Sequence, residues 1–517
     1  MEFNHPSEIV KDLNFSNQAQ SKIMSGVEKL TEAVASTLGA SGKCVIYEDA
    51  LGKPIITKDG VTVAQSVVLM DPVENIGATL IKEAAQKTVK EAGDGTTTSI
   101  VLAHSILKFY YENENKENLR SIKESIERGK NKVIKYLEKK AIPVEGDMLN
   151  NVARISTNND KVLGDIIAEA YKEVGKNGVV LMEESDTEKT YVDIVDGVQF
   201  DSGLKSPHLI TDKDKNNATL EEPLILIVDS EVSTVRKIQA VLEYAIKNKK
   251  AILIIGNVSQ QVMSALIMNK VKGNIKANVI DPPGFSTVRR DMLDDLAIIT
   301  GARVINEELG DDLDLIDESF LGIANKAVTD DNNTVITVET QTDEIKERIK
   351  SIEDQIKDEK NPYALKKLEQ RRAMLSGSVG IIKVGADSKV ELKEKKDRVE
   401  DAIHAVKAAL KQGIVSGAGI ALHNAADLLN NKSVGESILY EAIKSPYKTI
   451  LDNAGIKYEP CPDEGYGIDV VTGKSVNLVK NGIIDPVLVT KTALTNACSV
   501  ATTIMSANCV ISNVREQ

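Results

Sequence analysis

Gly93-Asp94-Gly95-Thr96-Thr97-Thr98 sets a carboxylate between two glycines and follows it with three hydroxyl side chains. Apolar residues at helical spacing lead into it over residues 81–92 and resume over 99–111, so it joins two helices. Gly93 fits a helix C-terminal stop, and the Asp-Gly-Thr group fits the start of the next helix. A helix start built from small residues leaves backbone N–H groups open to an approaching phosphate. Asp94 is compatible with phosphate there when Mg²⁺ lies between the two. A helix–turn–helix joint with a threonine N-cap accounts for the same residues equally well.

A second group lies upstream. Thr37-Leu38-Gly39 and Gly42-Lys43 precede a strand-like segment at 44–47, and Ile55-Ile56-Thr57-Lys58-Asp59-Gly60 then sets a second carboxylate beside a glycine. Two such loops ahead of one Asp-Gly-Thr helix start suit a polyphosphate held from two sides. Taken singly, Lys58-Asp59-Gly60 reads as a hairpin turn, because Asp-Gly is a favoured turn pair.

Residues 1–139 read as helix-dominated, and 140–195 mix a helix at 162–174 with short strands such as 178–182. From Asp196 the texture becomes α/β. Short apolar strands at 224–229 and 252–255 are each followed by an amphipathic stretch, which predicts parallel strands with crossover helices. Ile345, Ile349, Ile352 and Ile356 alternate at four- and three-residue steps, and Leu365, Leu368 and Leu375 follow Asn361-Pro362. That pattern predicts a charged helical hairpin packed on its own domain. After Gly377 the chain returns to strand and then helix.

At 517 residues the chain exceeds a single core. A net charge of −13 with 3 % aromatics and no Trp argues against a nucleic-acid surface. Cys44, Cys461, Cys498 and Cys509 lie far apart, which indicates neither a zinc site nor a disulfide framework. No apolar run approaches membrane-spanning length and MEFNHPSEIV is no leader, so the expectation is a cytoplasmic protein without membrane partners, in a host cytoplasm if viral. There is no GxxxxGK[ST] and no kinase-like motif set.

The segments TLGASGK (37–43), ITKDGVTVA (56–64) and AGDGTTTSIVLA (92–103) resemble the nucleotide-binding segments of group I chaperonins. The likeness continues in order through 197–201, Pro283-Gly284-Phe285, KEKKDRVEDAIHAVKAAL (393–410) and GIIDP (482–486), over nearly the whole chain. The resemblance implies a multidomain α/β chaperonin fold in nested order. Its parts are an equatorial domain (1–139 and 412–517), an intermediate domain (140–195 and 380–411) and an apical domain (196–379), with Gly197 and Gly377 near the hinges.

The implied activity is ATP hydrolysis with Mg²⁺ and K⁺, in a homo-oligomeric ring of seven that encloses unfolded polypeptides. By the same resemblance Asp94 coordinates Mg²⁺, and Gly95, Thr96, Thr97 and Thr98 hold the β and γ phosphates. Thr37, Leu38 and Gly39 line the phosphates from the opposite loop, with Lys58 close by. Asp401 aligns the attacking water with Asp59 as its partner, and Gly417, Asp469, Val470, Ile483 and Asp485 surround the adenine and ribose. Read without the resemblance, Asp401 is a solvated residue in a charge run. Client chains are implied to meet Leu204, Ser206, His208, Leu209, Gln239, Leu242, Met263, Ile267 and Met268, although core packing explains about half such apolar positions.

Departures from the family pattern are Ala40, Ala418, Lys411-Gln412, Ser202, Lys389, Lys457 and a shortened stretch at 424–467. Ala40 loosens one phosphate loop modestly and Ala418 sets a methyl near the nucleotide. Most of the changes fall outside the ATP loops, so ATP use is expected to be retained while inter-ring and inter-subunit coupling is altered, and Gln239 alters the lid-docking surface. The expectation is a co-chaperonin lid that is weakly bound or dispensable, with a single-ring state open. A ring-forming holdase or assembly scaffold with uncoupled ATPase is the alternative function.

Overall fold

The structure is a computed structural model. It describes residues 11–513 apart from 50–51, 114–117, 145, 147, 158–159, 176–177, 186, 213–215, 285, 339–342, 359–363, 365–367, 369–370, 373–374, 376, 430–432 and 460–462. Phe285, Asn361-Pro362, Leu365 and Cys461 therefore lie outside the described residues. The chain forms two compact units, one of residues 1–168, 184–190 and 384–517, the other of 169–183 and 191–383. The expected intermediate segments are thus shared between the two.

The first unit is built on long helices. Asp71 starts Pro72–Ala92 by accepting from the N–H groups of Val73 (2.8 Å) and Glu74 (3.2 Å), Pro72 occupies the first helical position, and Gly93 stops it with φ 77°. Ser16–Ala35 and Val487–Ile504 pack against this helix, and Val487–Ile504 also packs against Thr96–Glu112. Ile23, Leu30, Ile81, Ile100, Ile106 and Leu494 form a core closed to solvent. Lys11–Phe15 pairs antiparallel with Cys509–Asn513, joining the two ends of the described chain. Residues 1–139 are helix-dominated, and this strand was not foreseen, since a five-residue strand paired nearly 500 residues away leaves no local signal.

The second unit contains the expected parallel strands. Val304–Ile305, Leu224–Val232, Ile252–Val258 and Ala277–Ile280 are neighbours in that order, all parallel. Leu224 to Val228 and Ile252 to Ile255 are buried on both faces, which is why they read as continuous apolar runs. A further six-stranded sheet was not resolved from sequence: Tyr191–Phe200 lies antiparallel between Thr334–Val338 and Ser378–Val384. Gly197 there donates its N–H to the Gly377 carbonyl (3.5 Å).

The helix Asp343–Asp358 buries Ile345 and Ile352 and half-buries Ile349 and Ile356 against the unit's core, where Leu368 and Leu375 also pack. A buried charge fixes this arm. Asp295, fully enclosed, accepts from Arg371 (2.8 and 3.0 Å) and Arg348 (2.8 Å). Removing Asp295 leaves the buried Arg371 with only the half-exposed Asp291 (3.1 Å) beside it, so Asp295→Ala is expected to destabilise this unit by about 3 kcal/mol, read as an earlier urea transition. An unchanged midpoint would show that the arm packs without its charge.

Candidate functional site

Stretches far apart in the sequence line one cavity of about 480 Å³ within the first unit. Thr37, Leu38, Gly39, Lys58, Asp59, Asp94, Gly95, Thr96, Thr97, Thr98, Asp401, Asp469, Val470, Ile483 and Asp485 all line it. Gly417 does not. It holds the wall from behind, where its N–H donates to the Ile483 carbonyl (3.0 Å) and a Cβ would come within 2.8 Å of the Ile484 nitrogen.

The joint at 93–98 opens onto this cavity. Thr96–Glu112 starts from Gly95 at φ 94°, and no side chain caps it. The threonine N-cap reading is therefore corrected: the first turn keeps uncapped N–H groups and the positive end of the helix dipole facing the cavity-lining threonines. Gly93 serves a second purpose. A Cβ there would come within 2.4 Å of the His404 Cβ, so the missing side chain lets the Lys389–Gln412 helix approach with Asp401 one turn earlier. A Cβ on Gly60 would come within 2.2 Å of Thr97 Oγ1, so these two loops touch.

The hairpin predicted at 58–60 lies upstream, where Val45–Glu48 pairs with Pro54–Thr57. Asp59 instead caps the Gly60–Ser66 helix, accepting from the N–H groups of Val61 (3.0 Å) and Thr62 (2.7 Å) and from Thr62 Oγ1 (2.6 Å). Its carboxylate is held in place by this cap. Asp469 is likewise fixed in a turn, accepting from Val471 N–H (3.0 Å) and Thr472 Oγ1 (2.7 Å).

Negative charge is concentrated here. Burial, then Asp94 and Asp59, push Asp401 well above the ordinary carboxylate range, which excludes a solvated role. Burial also raises Asp94, against the pull of the Gly95 N–H and His404. Asp485 is pushed up to about 7 by burial and then Asp94, while Asp397 reaches about 6 through burial and then Asp59. Such a set gains most from a bound cation. Among the described residues no group of three or more His, Cys, Asp or Glu could hold a metal ion by itself.

Sequence reasoning missed several lining residues. Asp397 and Arg398 share the Asp401 helix and were legible from its period, whereas Pro446 and Ile450 carry no local signal. Ala418 also lines the cavity and adopts φ 53°, a left-handed conformation that costs a residue with a Cβ. Ala418→Gly is expected to stabilise the protein by about 0.5–1 kcal/mol, measured by denaturant unfolding. A loss of stability would mean that the methyl packs usefully.

The second unit carries the other candidate surface. Along Gln260–Val271, Val262 and Leu266 face the core while Met263 and Ile267 are half-buried and Met268 and Val271 are 58 % and 74 % exposed. This helix is apolar on both sides, and Val271 was missed. Leu204 and Ser206 are half-buried, and His208 and Gln239 are exposed. Leu209 and Leu242, at 0 % and 8 % exposure, belong to the core, which corrects their assignment to a client-binding surface.

A sequence model of the TCP-1/cpn60 chaperonin family matches residues 30–515. The chaperonin gp146 from the bacteriophage EL 2 (Pseudomonas aeruginosa), crystallised in the presence of ATP-BeFx, is similar in fold at 22 % identity. The match covers 98 % of this chain and 99 % of that one, with a TM-score of 0.73 in crystal form II. In crystal form I the coverage and identity are the same and the TM-score is 0.65. No helix among the described residues is long and apolar enough to cross a membrane.

Proposed function

The chain belongs to the TCP-1/cpn60 chaperonin family, and from that premise we propose that it is an ATP-driven, ring-forming chaperonin subunit that folds polypeptides in a cavity. The observation that carries the reading is the meeting of the 37–39, 57–60 and 93–98 loops with the Asp401 carboxylate on one cavity.

Asp94 and the uncapped first turn of Thr96–Glu112 would hold Mg²⁺ and the β and γ phosphates. Bound Mg²⁺ supplies charge neutralisation on the transferring phosphoryl group. Thr37, Leu38 and Gly39 close the opposite side, with Lys58 beside them, and Asp469, Val470, Ile483 and Asp485 take the nucleoside end. Asp401 accepts a hydrogen bond from the attacking water and aims its oxygen at the γ phosphorus. The new oxygen–phosphorus bond forms as the bridging bond breaks, and ADP leaves with the bridging oxygen. Asp59, fixed by its cap, sets the field in which Asp401 titrates.

In the second unit the outward stripe of Met263, Ile267, Met268 and Val271, with Leu204, offers flexible apolar side chains to unfolded clients. A ring of seven, K⁺ dependence and a dispensable lid are carried as part of this reading.

The test is direct. Purified protein is expected to hydrolyse ATP only with Mg²⁺, faster with K⁺, and to give closed rings in electron micrographs that refold a denatured client. A protein that neither bound nucleotide nor formed closed oligomers would overturn the proposal. Hydrolysis without client release would favour a holdase.

A further inference from the structure

We infer that Asn453 is a positioning residue for nucleotide binding, its side-chain amide clamping the Thr37-Leu38-Gly39 loop in the shape that receives the phosphates. The inference rests on the ATP-site reading above.

Asn453 ends the Ser445–Asn453 helix. Its Nδ2 donates to the carbonyl of Ala35 (2.8 Å) and to that of Leu38 (2.9 Å). Ala35 closes Ser16–Ala35, so its carbonyl is among those a helix cannot satisfy internally. Leu38 stands three residues on, in the loop that lines the cavity. One amide nitrogen therefore spans the junction between helix and loop, fixing how the chain turns out of one and into the other.

The same helix grips the loop a second time. Ile450, one turn before Asn453, lines the cavity, and its Cγ1 and Cγ2 lie 3.1 Å from where a Cβ on Gly39 would stand. The loop's own bonds are short-range: Thr37 Oγ1 and N–H to the Val34 carbonyl (2.8 and 3.1 Å), Leu38 N–H to the Ala35 carbonyl that Asn453 also meets (3.1 Å), Gly42 N–H to the Gly39 carbonyl (3.0 Å) and Lys43 N–H to the Ser36 carbonyl (2.8 Å). They shape the loop without tying it to the far wall. Among the described residues, the bonds from Asn453 tie this loop to a helix more than 400 positions away, one turn beyond the Ile450 that lines the cavity.

The chemistry requires an amide. A side-chain NH₂ gives two hydrogens from one atom, whereas a carboxylate gives none and faces two carbonyl oxygens with like charge. A loop that grips the phosphates equally in the ground and transition states contributes uniform binding, so its displacement raises KM and leaves kcat nearly unchanged.

The experiment compares the full chain with Asn453→Asp, Asn453→Leu and Asn453→Gln. The Asp and Leu variants are expected to bind Mg²⁺-ATP about tenfold more weakly with kcat within about twofold of the parent. The Gln variant, which keeps both donors at longer reach, recovers part of the loss. Hydrogen exchange of the 37–43 amides is expected to speed up in the Asp and Leu variants, a readout that needs no turnover. Equal affinity and unchanged exchange in those variants would overturn the clamp. If they did not fold, Asn453→Gln would decide alone: weaker Mg²⁺-ATP binding with faster 37–43 exchange and near-parental kcat supports the clamp, and parental affinity with parental exchange, or lost kcat at unchanged KM, refutes it. A parent chain that bound no nucleotide would sink the ATP-site reading itself, and the clamp with it; binding in the parent with no response in the variants would sink the clamp alone.

Discussion

Asp401→Asn is expected to bind ATP and hydrolyse it about 10²–10⁴-fold more slowly than the parent chain. Asparagine keeps the shape and the packing of the Lys389–Gln412 helix and removes the carboxylate charge proposed to orient and polarise the attacking water. Single-turnover rates at saturating ATP are the relevant measurement, because the variant's affinity is expected to hold. The same change should stabilise the nucleotide-free protein at neutral pH. Asp401, Asp485 and Asp397 are all raised by burial and by neighbouring carboxylates. A carboxyl group whose folded pKa is raised binds more protons in the native state than in the unfolded one, so stability falls as pH rises through the gap. For Asp485 the gap opens at the ordinary 3.8 and closes at about 7. Its contribution is thus fully present below the lower figure and gone above the higher one, on the order of 1.4 kcal/mol for each pKa unit. Asp401→Asn removes Asp401's own part of this fall, so the profile should flatten above the ordinary carboxylate range while the Asp485 part stays. A variant that hydrolysed ATP at the parental rate would remove Asp401 from the mechanism.

Asp94→Asn is expected to abolish Mg²⁺-dependent stabilisation by nucleotide. Ligand at about a thousandfold excess over Kd stabilises a protein by about 4 kcal/mol, so the parent chain should show a clear rise in Tm when ATP and Mg²⁺ are added together. The variant should show little rise and should no longer distinguish Mg²⁺ from chelator. It loses the charge that the ion would meet and keeps the hydrogen-bonding shape beside the Gly95 N–H. The two variants separate the two proposed jobs, metal holding at Asp94 and water alignment at Asp401. Parental Mg²⁺ dependence in Asp94→Asn would place the ion elsewhere.

The legible part of the protein was local. The joint at 93–98 was readable as a helix stop and start because glycine and small hydroxyl residues set their own backbone geometry. The parallel strands were readable because a strand buried on both faces must be apolar at every position. What misled was a local rule applied without its surroundings. Asp-Gly at 59–60 has turn chemistry, yet the chain spends that aspartate on a helix cap. Leu209 and Leu242 match a surface pattern, yet they fill the core beneath it while Val271 stays outside.

The sequence by itself determined which segments would bend, stop or bury, because those outcomes depend on neighbours within a few residues. The tertiary structure alone decided which carboxylates repel one another, that Ala418 takes a left-handed turn, and that Asn453 reaches back to Ala35 and Leu38. The repulsion and the Asn453 bonds join residues far apart in the chain, and electrostatic repulsion and hydrogen bonding depend on distance in space rather than along the sequence.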